Sequence, residues 1–174
     1  MTAEEYAKTY LENEVKIIEN SHRNDILPEL TVFEKAIVYK YTEDGYESLN
    51  ETLRKKQFLE VSEFGRLFAE CLDKLPNFRG NVFRSVNLTT IEWEKYKTAF
   101  ENNEEITEHF FISTSKVFNM GYAFGKIRFK IYTFKGKNIE YIAKHSDEKE
   151  VVLQFNSSFR VIAIDNNIIQ LIEV

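Results

Sequence analysis

Apolar positions in the first part of the chain recur at the spacing of amphipathic helices. One apolar stripe near the N-terminus consists of Tyr6, Tyr10, Leu11, Ile17 and Ile18. Residues three or four positions apart lie on one face of a helix, so this pattern predicts helix close to the start of the chain. The N-terminal part is therefore expected to be helical.

Two pairs of residues have the spacing of a capping box, the motif that opens a helix. Thr31 is followed by Glu34, and Thr89 is followed by Glu92, in each case around the start of an apolar-periodic segment. The hydroxyl and the carboxylate of such a pair bond to the first free backbone N–H groups of a helix. Gly45 is expected to interrupt the helix that begins at Thr31, after which helical spacing resumes.

A further helix of about 15 residues is predicted to end near Leu75 and Pro76, because proline is a natural helix stop. Cys71 lies in this helix at the spacing of a buried face. It is the only cysteine of the chain, so no internal disulfide is possible. A reducing compartment is compatible with this composition.

The pattern changes from helical spacing to alternation after Gly80. Ile127, Phe129 and Ile131 alternate with basic residues, which predicts a strand with one buried face. Further strands are predicted at residues 82–86, 110–114, 151–155, 159–164 and 168–174. Helices come first and strands second, without βαβ alternation, and this order favours an α+β fold. We expect one domain, residues 1–174, with a helical part (1–78) and a β-rich part (79–174).

Composition and charge narrow the class of protein. The chain has 174 residues, 43% of them hydrophobic, with 15 Phe and 9 Tyr, which is typical of a globular domain with a core of its own. The formal net charge is −5 and the isoelectric point is about 5.4. A general nucleic-acid binder is expected to be basic, so this class is disfavoured, although local basic patches are compatible with the charge.

The sequence predicts neither a metal site nor a membrane segment. One cysteine and three widely spaced histidines do not form a recognisable ligand set. The N-terminal segment MTAEEYAKTYLENEVK is acidic and amphipathic, and no apolar run approaches the roughly 20 residues of a membrane span. We expect a soluble cytoplasmic protein without a membrane partner. It would act in the producing cell, or in a target cell after delivery without a cleaved signal peptide.

The common nucleotide-binding signatures are absent, since the chain has neither a G-x-G-x-x-G turn nor a P-loop. Three other motifs occur in a fixed order. They are NVFRSV with Arg84, FFISTS with Ser113, Thr114 and Ser115, and DEKEVVL with Glu148 and Glu150. In this order the chain resembles the Arg-Ser-Glu class of mono-ADP-ribosyltransferases, which includes clostridial toxins and vertebrate arginine-modifying enzymes.

The resemblance covers roughly residues 30 to 165. The segment AIVYKYTEDGYESLNETLR resembles the family's helical region, and KGKNIEYIAKHSDEKEVVLQFNSSFRV resembles its closing strands. It implies a helical N-terminal part followed by two packed, mainly antiparallel β-sheets. It also implies NAD as co-substrate, no metal, and an active site built by the arginine, the S-T-S and the E-x-E.

Each motif also has an ordinary structural interpretation. An arginine on a strand is usually a surface ion-pairing residue, but the flanks of Arg84 are apolar and its planar fork suits the two phosphates of NAD. The hydroxyls of residues 113–115 could simply satisfy backbone groups at a strand end. The resemblance implies that Ser113 orients Glu150 and touches the nicotinamide ribose. Thr114 and Ser115 would support the cofactor site.

A charged run before a strand is normally a solvated approach. If the strand has already begun at Glu148, the i, i+2 spacing places Glu148 and Glu150 on one face and Lys149 on the other. Cleavage of the nicotinamide–ribose bond leaves positive charge on the sugar, which requires a fixed carboxylate nearby. Glu150 is the candidate for that role, through the ribose 2′-hydroxyl, and Glu148 would meet the nucleophile. The E-x-E pattern resembles the arginine-modifying branch.

Two segments leave the details of recognition open. The family often has an aromatic residue three positions before the first glutamate, where this chain has His145. The loop KVFNMGYAFGK offers Phe118, Tyr122 and Phe124 as stacking groups for nicotinamide and Lys126 as a phosphate contact. Core packing is the ordinary role of such aromatic residues.

The sequence thus predicts transfer of ADP-ribose from NAD to an arginine of a protein, with release of nicotinamide, as in toxins and effectors. Three alternatives stay open: an RNA or DNA base as acceptor, plain NAD glycohydrolysis, and an inactive binding module with the same fold. The nucleic-acid alternative is supported by four basic residues that follow the S-T-S, namely Lys116, Lys126, Arg128 and Lys130. An inhibitor or antitoxin protein is left open as a further partner.

Overall fold

A computed structural model describes residues 1–56, 61–118 and 125–174. The N-terminal part is helical, as predicted. Its elements are α1 (Ala3–Tyr10), α2 (Glu12–Glu19), a 3₁₀ turn (His22–Asp25), α3 (Val32–Lys40), α4 (Tyr46–Lys56) and α5 (Glu63–Asp73). No helix in these ranges is long and apolar enough to cross a membrane.

Both predicted capping boxes are confirmed. The Thr31 hydroxyl accepts from the Glu34 N–H at 3.2 Å, while the Glu34 carboxylate accepts from the Thr31 N–H at 3.0 Å. The same reciprocal pair, Thr89 and Glu92, opens helix α6 (Thr90–Asn102). These motifs use only neighbouring residues, which makes them readable from sequence.

The predicted interruption at Gly45 is wrong. A π-helical turn (Tyr41–Gly45) connects α3 directly to α4, and the helical backbone is continuous from Val32 to Lys56. A Cβ atom at Gly45 would lie 3.0 Å from the Lys40 carbonyl oxygen and 3.0 Å from a ring carbon of Phe64. The glycine therefore serves the close approach of α5 to this helix and does not end it.

The C-terminal part contains seven strands in the described ranges. They are β1 (Asn77–Val86), β2 (Glu105–Glu108), β3 (Ile112–Ser115), β4 (Ile127–Asn138), β5 (Glu150–Leu153), β6 (Ser157–Asp165) and β7 (Ile168–Glu173). Strand β2 was not predicted. Helix α5, with 11 residues, is shorter than predicted and ends before Leu75 and Pro76. The α+β class is confirmed.

The strands hydrogen-bond into one sheet with the order β1-β3-β5-β4-β7-β6-β2, and all described pairings except β4–β7 are antiparallel. The expected division into two packed sheets is not confirmed. The reason is β4, which has 12 residues and pairs with β1 as well as with β5 and β7. Strands β1, β3, β5 and β4 consequently close into a ring.

Strands β3 and β5 separate two apolar cores. Phe111 and Val152 pack in the core formed with the helices, whereas Ile112 and Val151 pack in the core formed with α6 and the rest of the sheet. Cys71 is buried in the helical core, as predicted, and burial raises the pKa of its thiol to about 12. Two strands with apolar contacts on both faces make a rigid support for any polar group that they carry.

Candidate active site

A cleft of about 1310 Å³ opens between the α3–α4 helix, β1, β3 and the segment before β5. Arg84, Ser113, Glu148 and Glu150 all line it, together with Thr114, Ser115 and His145. The structure thus brings the three sequence motifs, which are far apart along the chain, to a single cavity.

Glu150 is the first residue of β5 and is only 7% exposed. In the β3–β5 pairing, Ser115 lies opposite Glu150 and Ser113 lies opposite Val152, so the side chains of Ser113 and Glu150 are diagonal neighbours on one face. The Ser113 hydroxyl lies close enough to the Glu150 carboxyl group to lower its pKa. The orienting role of Ser113 stays a prediction.

The environment of Glu150 makes it an unusually weak acid. Burial is the main cause that raises its pKa, to about 7, and the nearby charge of Glu148 acts in the same direction. The hydrogen bond from Ser113 and the positive charge of Arg84 oppose this shift. A carboxylate that is desolvated and poised near neutrality is characteristic of a functional group.

A buried polar network connects Glu150 to the helical part. The Tyr41 and Ser113 hydroxyl oxygens are 2.9 Å apart, and the Asn50 side-chain amide donates to the Tyr41 oxygen at 3.3 Å. The backbone N–H of Phe111 donates to the Asn50 carbonyl oxygen at 3.0 Å. Tyr41 is fully buried and stacks on Phe68, with ring centroids 4.1 Å apart.

Arg84 lies on β1 and contacts the S-T-S strand directly. Its guanidinium donates to the Ser113 carbonyl oxygen at 3.0 Å. Burial lowers the pKa of Arg84, whereas Tyr41 and Glu108 favour the charged form. Arginine stays protonated under such conditions, so the cleft holds a fixed positive charge beside Glu150.

The two glutamates do not sit on one strand face, contrary to the geometry considered for E-x-E. Glu148 ends a 3₁₀ turn (Ser146–Glu148), and Lys149 has the left-handed conformation, with φ 48° and ψ 52°. The strand begins only at Glu150. Both glutamates nevertheless line the cleft, and Lys149 points away toward Glu140, with 3.8 Å between its Nζ and the carboxylate.

The segment that precedes Glu148 is tied to the helical part. Arg23 donates to the carbonyl oxygens of Ile142 and Ala143, at 2.6 and 2.9 Å. The backbone N–H of Lys144 donates to the Thr42 hydroxyl at 3.0 Å. Contacts at consecutive residues fix the path of the chain toward the turn that carries Glu148.

Comparison with known proteins decides the family. The sequence model described as ADP-ribosyltransferase exoenzyme matches residues 16–172. This chain belongs to the ADP-ribosyltransferase exoenzyme family. The crystal structure of the ADP-ribosyltransferase HopU1 of Pseudomonas syringae superposes with a TM-score of 0.79, at 18% identity, over 94% of this chain and 87% of that chain. The exoenzyme fold is thus shown by structure as well as by sequence.

Two relatives of this exoenzyme domain have names that specify an acceptor. A protein of Mycobacterium avium, provisionally named NAD(+)–arginine ADP-ribosyltransferase Mav, is 35% identical over 133 residues, which is 74% of this chain and 16% of that protein. The NAD(+)–protein-arginine ADP-ribosyltransferase Tre1 of Serratia proteamaculans is 28% identical over 128 residues, 72% of this chain and 27% of that protein. The chain therefore spans a small part of each relative.

Within the exoenzyme cleft, a second arginine escaped the sequence analysis. Arg54 on α4 is exposed, lines the cleft, and lies over the Phe110 ring at 4.1 Å from its centroid. It is close enough to Arg84 for its charge to lower the pKa of that residue. Two guanidinium groups that converge in one cleft form a natural anion site. The signal available in the sequence was the position of Arg54 at the end of AIVYKYTEDGYESLNETLR, the segment that resembles the family's helical region.

The remaining candidates for the cofactor site differ in placement. The Thr114 hydroxyl donates to the Val151 carbonyl at 2.6 Å, and the Ser115 hydroxyl accepts from the Val117 N–H at 3.0 Å, so both hydroxyls stabilise the strand. Phe118 contacts Phe83, with centroids 5.2 Å apart, and is not among the cleft-lining residues. Exposed Lys126 does not line the cleft either. Tyr122 and Phe124 lie outside the described residues.

The described ranges contain no group of three or more His, Cys, Asp or Glu residues arranged to hold a metal ion. The polar groups that line the cleft include carboxylates, hydroxyls and guanidinium groups. This set suits a dinucleotide with a cationic ring and two phosphates.

Proposed function

We propose that this chain cleaves the bond between nicotinamide and ribose in NAD and transfers ADP-ribose to an arginine of a protein, releasing nicotinamide. The observation that carries the proposal is the buried carboxylate of Glu150, which lies beside Ser113 and faces the same cleft as Arg84 and Glu148. Membership of the exoenzyme family and the names of the two relatives support it.

Glu150 is proposed to stabilise the sugar cation. When the bond to nicotinamide breaks, the electron pair stays on the ring nitrogen and positive charge develops on the ribose. A fixed carboxylate in a desolvated site stabilises that charge far more than water does. Ser113 keeps the carboxylate in place and, in this proposal, touches the nicotinamide ribose.

The two arginines are proposed to hold the phosphates of NAD. Arg84 is fixed by the Ser113 carbonyl, and Arg54 is exposed at the cleft wall. Planar guanidinium groups bind phosphate oxygens in pairs and so orient the substrate. Thr114 and Ser115 support this arrangement through the strand, and contacts from Phe118, Tyr122, Phe124 and Lys126 stay predictions from the sequence.

Glu148 is proposed to receive the acceptor. A carboxylate pairs well with a guanidinium, and it takes the proton that the guanidinium nitrogen loses when it bonds to the sugar. The wall near Glu148 also carries Glu43, Glu47 and Asp147. These negative charges favour a cationic arginine and disfavour a phosphate backbone, which supports a protein acceptor over a nucleic acid.

The basic residues that supported a nucleic-acid acceptor are largely engaged elsewhere. Lys116 forms an ion pair with buried Glu140, and Arg128 is buried with its guanidinium 4.6 Å from the Phe118 ring centroid. These two residues are therefore not available to an open basic groove. The proposed place of action is the cytoplasm, of the producing cell or of a target cell after delivery. An inhibitor or antitoxin protein stays an open partner.

The decisive experiment incubates the chain with NAD labelled in the adenylate half and with cell lysate. Separate samples are then digested with protease and with nuclease, and free nicotinamide and free ADP-ribose are measured. We expect label that protease removes and nuclease does not. Label lost only to nuclease would indicate a nucleobase acceptor, free ADP-ribose without labelled macromolecule a glycohydrolase, and no nicotinamide release an inactive module. The variant Glu150→Gln is the negative control.

A further inference from the structure

Glu140 is a buried carboxylate placed between the two catalytic segments. It lies shortly after the end of β4 and is 4% exposed. One of its oxygens is 2.5 Å from the Lys116 Nζ, and the other is 3.8 Å from the Lys149 Nζ. Lys116 directly follows the S-T-S, and Lys149 separates the two glutamates of the E-x-E. One carboxylate thus contacts both motifs.

The backbone links the same two lysines. The Lys116 N–H donates to the Lys149 carbonyl oxygen at 3.1 Å, which continues the β3–β5 pairing one step past Ser115 and Glu150. Lys149 has positive φ, a conformation that is unfavourable for a residue with a Cβ atom and persists only when the surroundings enforce it. The ion pair with Glu140 joins this turn to the segment that follows β4.

The two glutamates depend on this turn to different degrees. Glu150 is held by the β3–β5 pairing, and its carbonyl oxygen accepts from the Ile139 N–H at 3.1 Å. Glu148 lies outside the strand, in the 3₁₀ turn that ends at the left-handed Lys149. Loosening of Lys149 therefore displaces Glu148 more than Glu150.

Glu140 is ionised at neutral pH. Burial alone would raise its pKa, but hydrogen bonds from Lys116, Asn138 and Tyr141 together with the charge of Lys116 leave the pKa below its usual value. Removal of the charge leaves two lysines without their shared partner. For a buried carboxylate this loss is costly and local.

We propose that Glu140 is a positioning residue, which fixes the left-handed turn at Lys149 and thereby sets how ADP-ribose is divided between an acceptor guanidinium and water. This inference rests on the proposed function. Glu140 does not line the cleft and touches no reacting group. It acts through the position of Glu148, which must meet the incoming nucleophile, while water needs no such guidance.

The test uses the full chain, labelled NAD and agmatine, a small molecule with a free guanidinium. The products measured are ADP-ribosylated agmatine and free ADP-ribose, and their ratio does not depend on the fraction of folded enzyme. For Glu140→Gln we expect the ratio of transfer to hydrolysis to fall about tenfold, with a smaller loss of total nicotinamide release. Glu12→Gln removes the carboxylate of an exposed ion pair with Lys16 and is expected to leave the ratio unchanged.

A second variant keeps the test valid if Glu140→Gln folds poorly. Lys149→Met removes the other partner at a residue whose side chain is 51% exposed, and the same fall in the ratio is expected. The ratio for the double variant should fall no further than for either single one, because both single variants already remove the Glu140–Lys149 ion pair. Additive losses, or a ratio equal to that of the unaltered chain, would overturn the inference.

The activities of the unaltered chain distinguish a failure of the proposed function from a failure of the role proposed for Glu140. If it releases no nicotinamide, the proposed function fails and the role of Glu140 fails with it. If it hydrolyses NAD but never modifies agmatine, the guanidinium acceptor is wrong, and the role of Glu140 is overturned. If it does both and the variants keep its ratio, only the role of Glu140 is wrong.

Discussion

The Tyr41 hydroxyl oxygen lies 2.9 Å from the Ser113 hydroxyl oxygen, and this contact joins the end of helix α3 to the strand that carries the S-T-S. Ser113 is in turn a diagonal neighbour of Glu150 across the β3–β5 pairing and lowers the pKa of its carboxyl group. A fully buried phenol in the helical part therefore determines which way the serine hydroxyl faces. The helical part is thus connected to the S-T-S strand by hydrogen bonds that run from Asn50 through Tyr41 to Ser113.

Tyr41→Phe is expected to slow nicotinamide release about tenfold and to destabilise the fold by about 1–2 kcal/mol. The change removes the acceptor of the Asn50 amide and frees the Ser113 hydroxyl to rotate away from Glu150. Initial rates of nicotinamide release and urea unfolding measure the two effects. Tyr39→Phe removes a hydroxyl from the same buried helix outside this network and should leave the rate unchanged. Equal rates for both variants would show that the network does not matter for catalysis.

Glu150→Gln is expected to remove nearly all NAD cleavage while the fold stays intact. It deletes the negative charge that is proposed to stabilise the sugar cation and hardly changes the volume of the side chain. Loss of such a preorganised group costs about 10² to 10³ in rate or more. Nicotinamide release from protein with an unchanged circular dichroism spectrum is the measurement. Near-normal release would rule out Glu150 as the stabilising carboxylate.

The raised pKa of Glu150, about 7, predicts opposite effects of pH on activity and stability. The charged form is the active one, so NAD cleavage should rise as the pH passes through about 7. The folded state binds this proton more tightly than the unfolded state, whose pKa is near 4.5. The contribution of Glu150 to the free energy of unfolding is therefore highest below pH 4.5 and is lost as the pH rises to about 7, by an amount on the order of 3 kcal/mol.

The variant Glu150→Gln isolates this contribution from other titrating groups. Compared with the unaltered chain, it should gain stability on going from pH 5 to pH 8 in urea unfolding. A constant difference between the two proteins across this range would show that Glu150 has an ordinary pKa.

Arg84→Lys is expected to raise KM for NAD and to lower kcat. Lysine keeps the positive charge but loses the planar fork that donates to the Ser113 carbonyl and is proposed to bind phosphate oxygens as well. Steady-state kinetics of nicotinamide release give both constants. Arg79→Lys changes an exposed arginine of the same strand that lies over Phe134, and it should leave both constants unchanged. An Arg84→Lys enzyme with normal constants would make Arg84 a structural residue.

Glu148→Gln is expected to abolish transfer to agmatine while hydrolysis of NAD decreases much less. Glu150 still stabilises the sugar cation in this variant, but no carboxylate receives the guanidinium or its proton. Parallel assays of modified agmatine and free ADP-ribose separate the two activities, with Glu150→Gln as the variant that should lose both. A proportional loss of both products in Glu148→Gln would contradict the division of roles.

Local signals in the sequence were sufficient for the fold class, whereas the family resemblance of the three motifs implied that Arg84, Ser113, Glu148 and Glu150 gather in one site. Capping boxes and strand alternation depend on neighbouring residues and are readable directly. The roles of these four residues stay predictions, although their placement agrees with them.

Features that depend on distant contacts were not predictable. The approach of α5 decides the role of Gly45, and the tether from Glu140 accompanies the left-handed turn at Lys149. Asn50 gains its role only when Phe111, 61 positions later, comes beside it. Closure of the sheet through β4 is equally a property of the folded chain and leaves no pattern in the sequence.

The π-helical turn at residues 41–45 changes the direction in which the side chains after it point around the helix axis. Each residue of an α-helix advances about 100° around the axis, so Tyr41 and Asn50, nine positions apart, would point in opposite directions. A π turn contains one extra residue for the same rotation about the axis, so the nine positions rotate the chain by about eight steps of 100°. The angle between the directions of Tyr41 and Asn50 is then about 80°. The contact between their side chains therefore depends on chain length in this turn as much as on residue identity, and a perfectly regular helix of better backbone geometry would have no such contact.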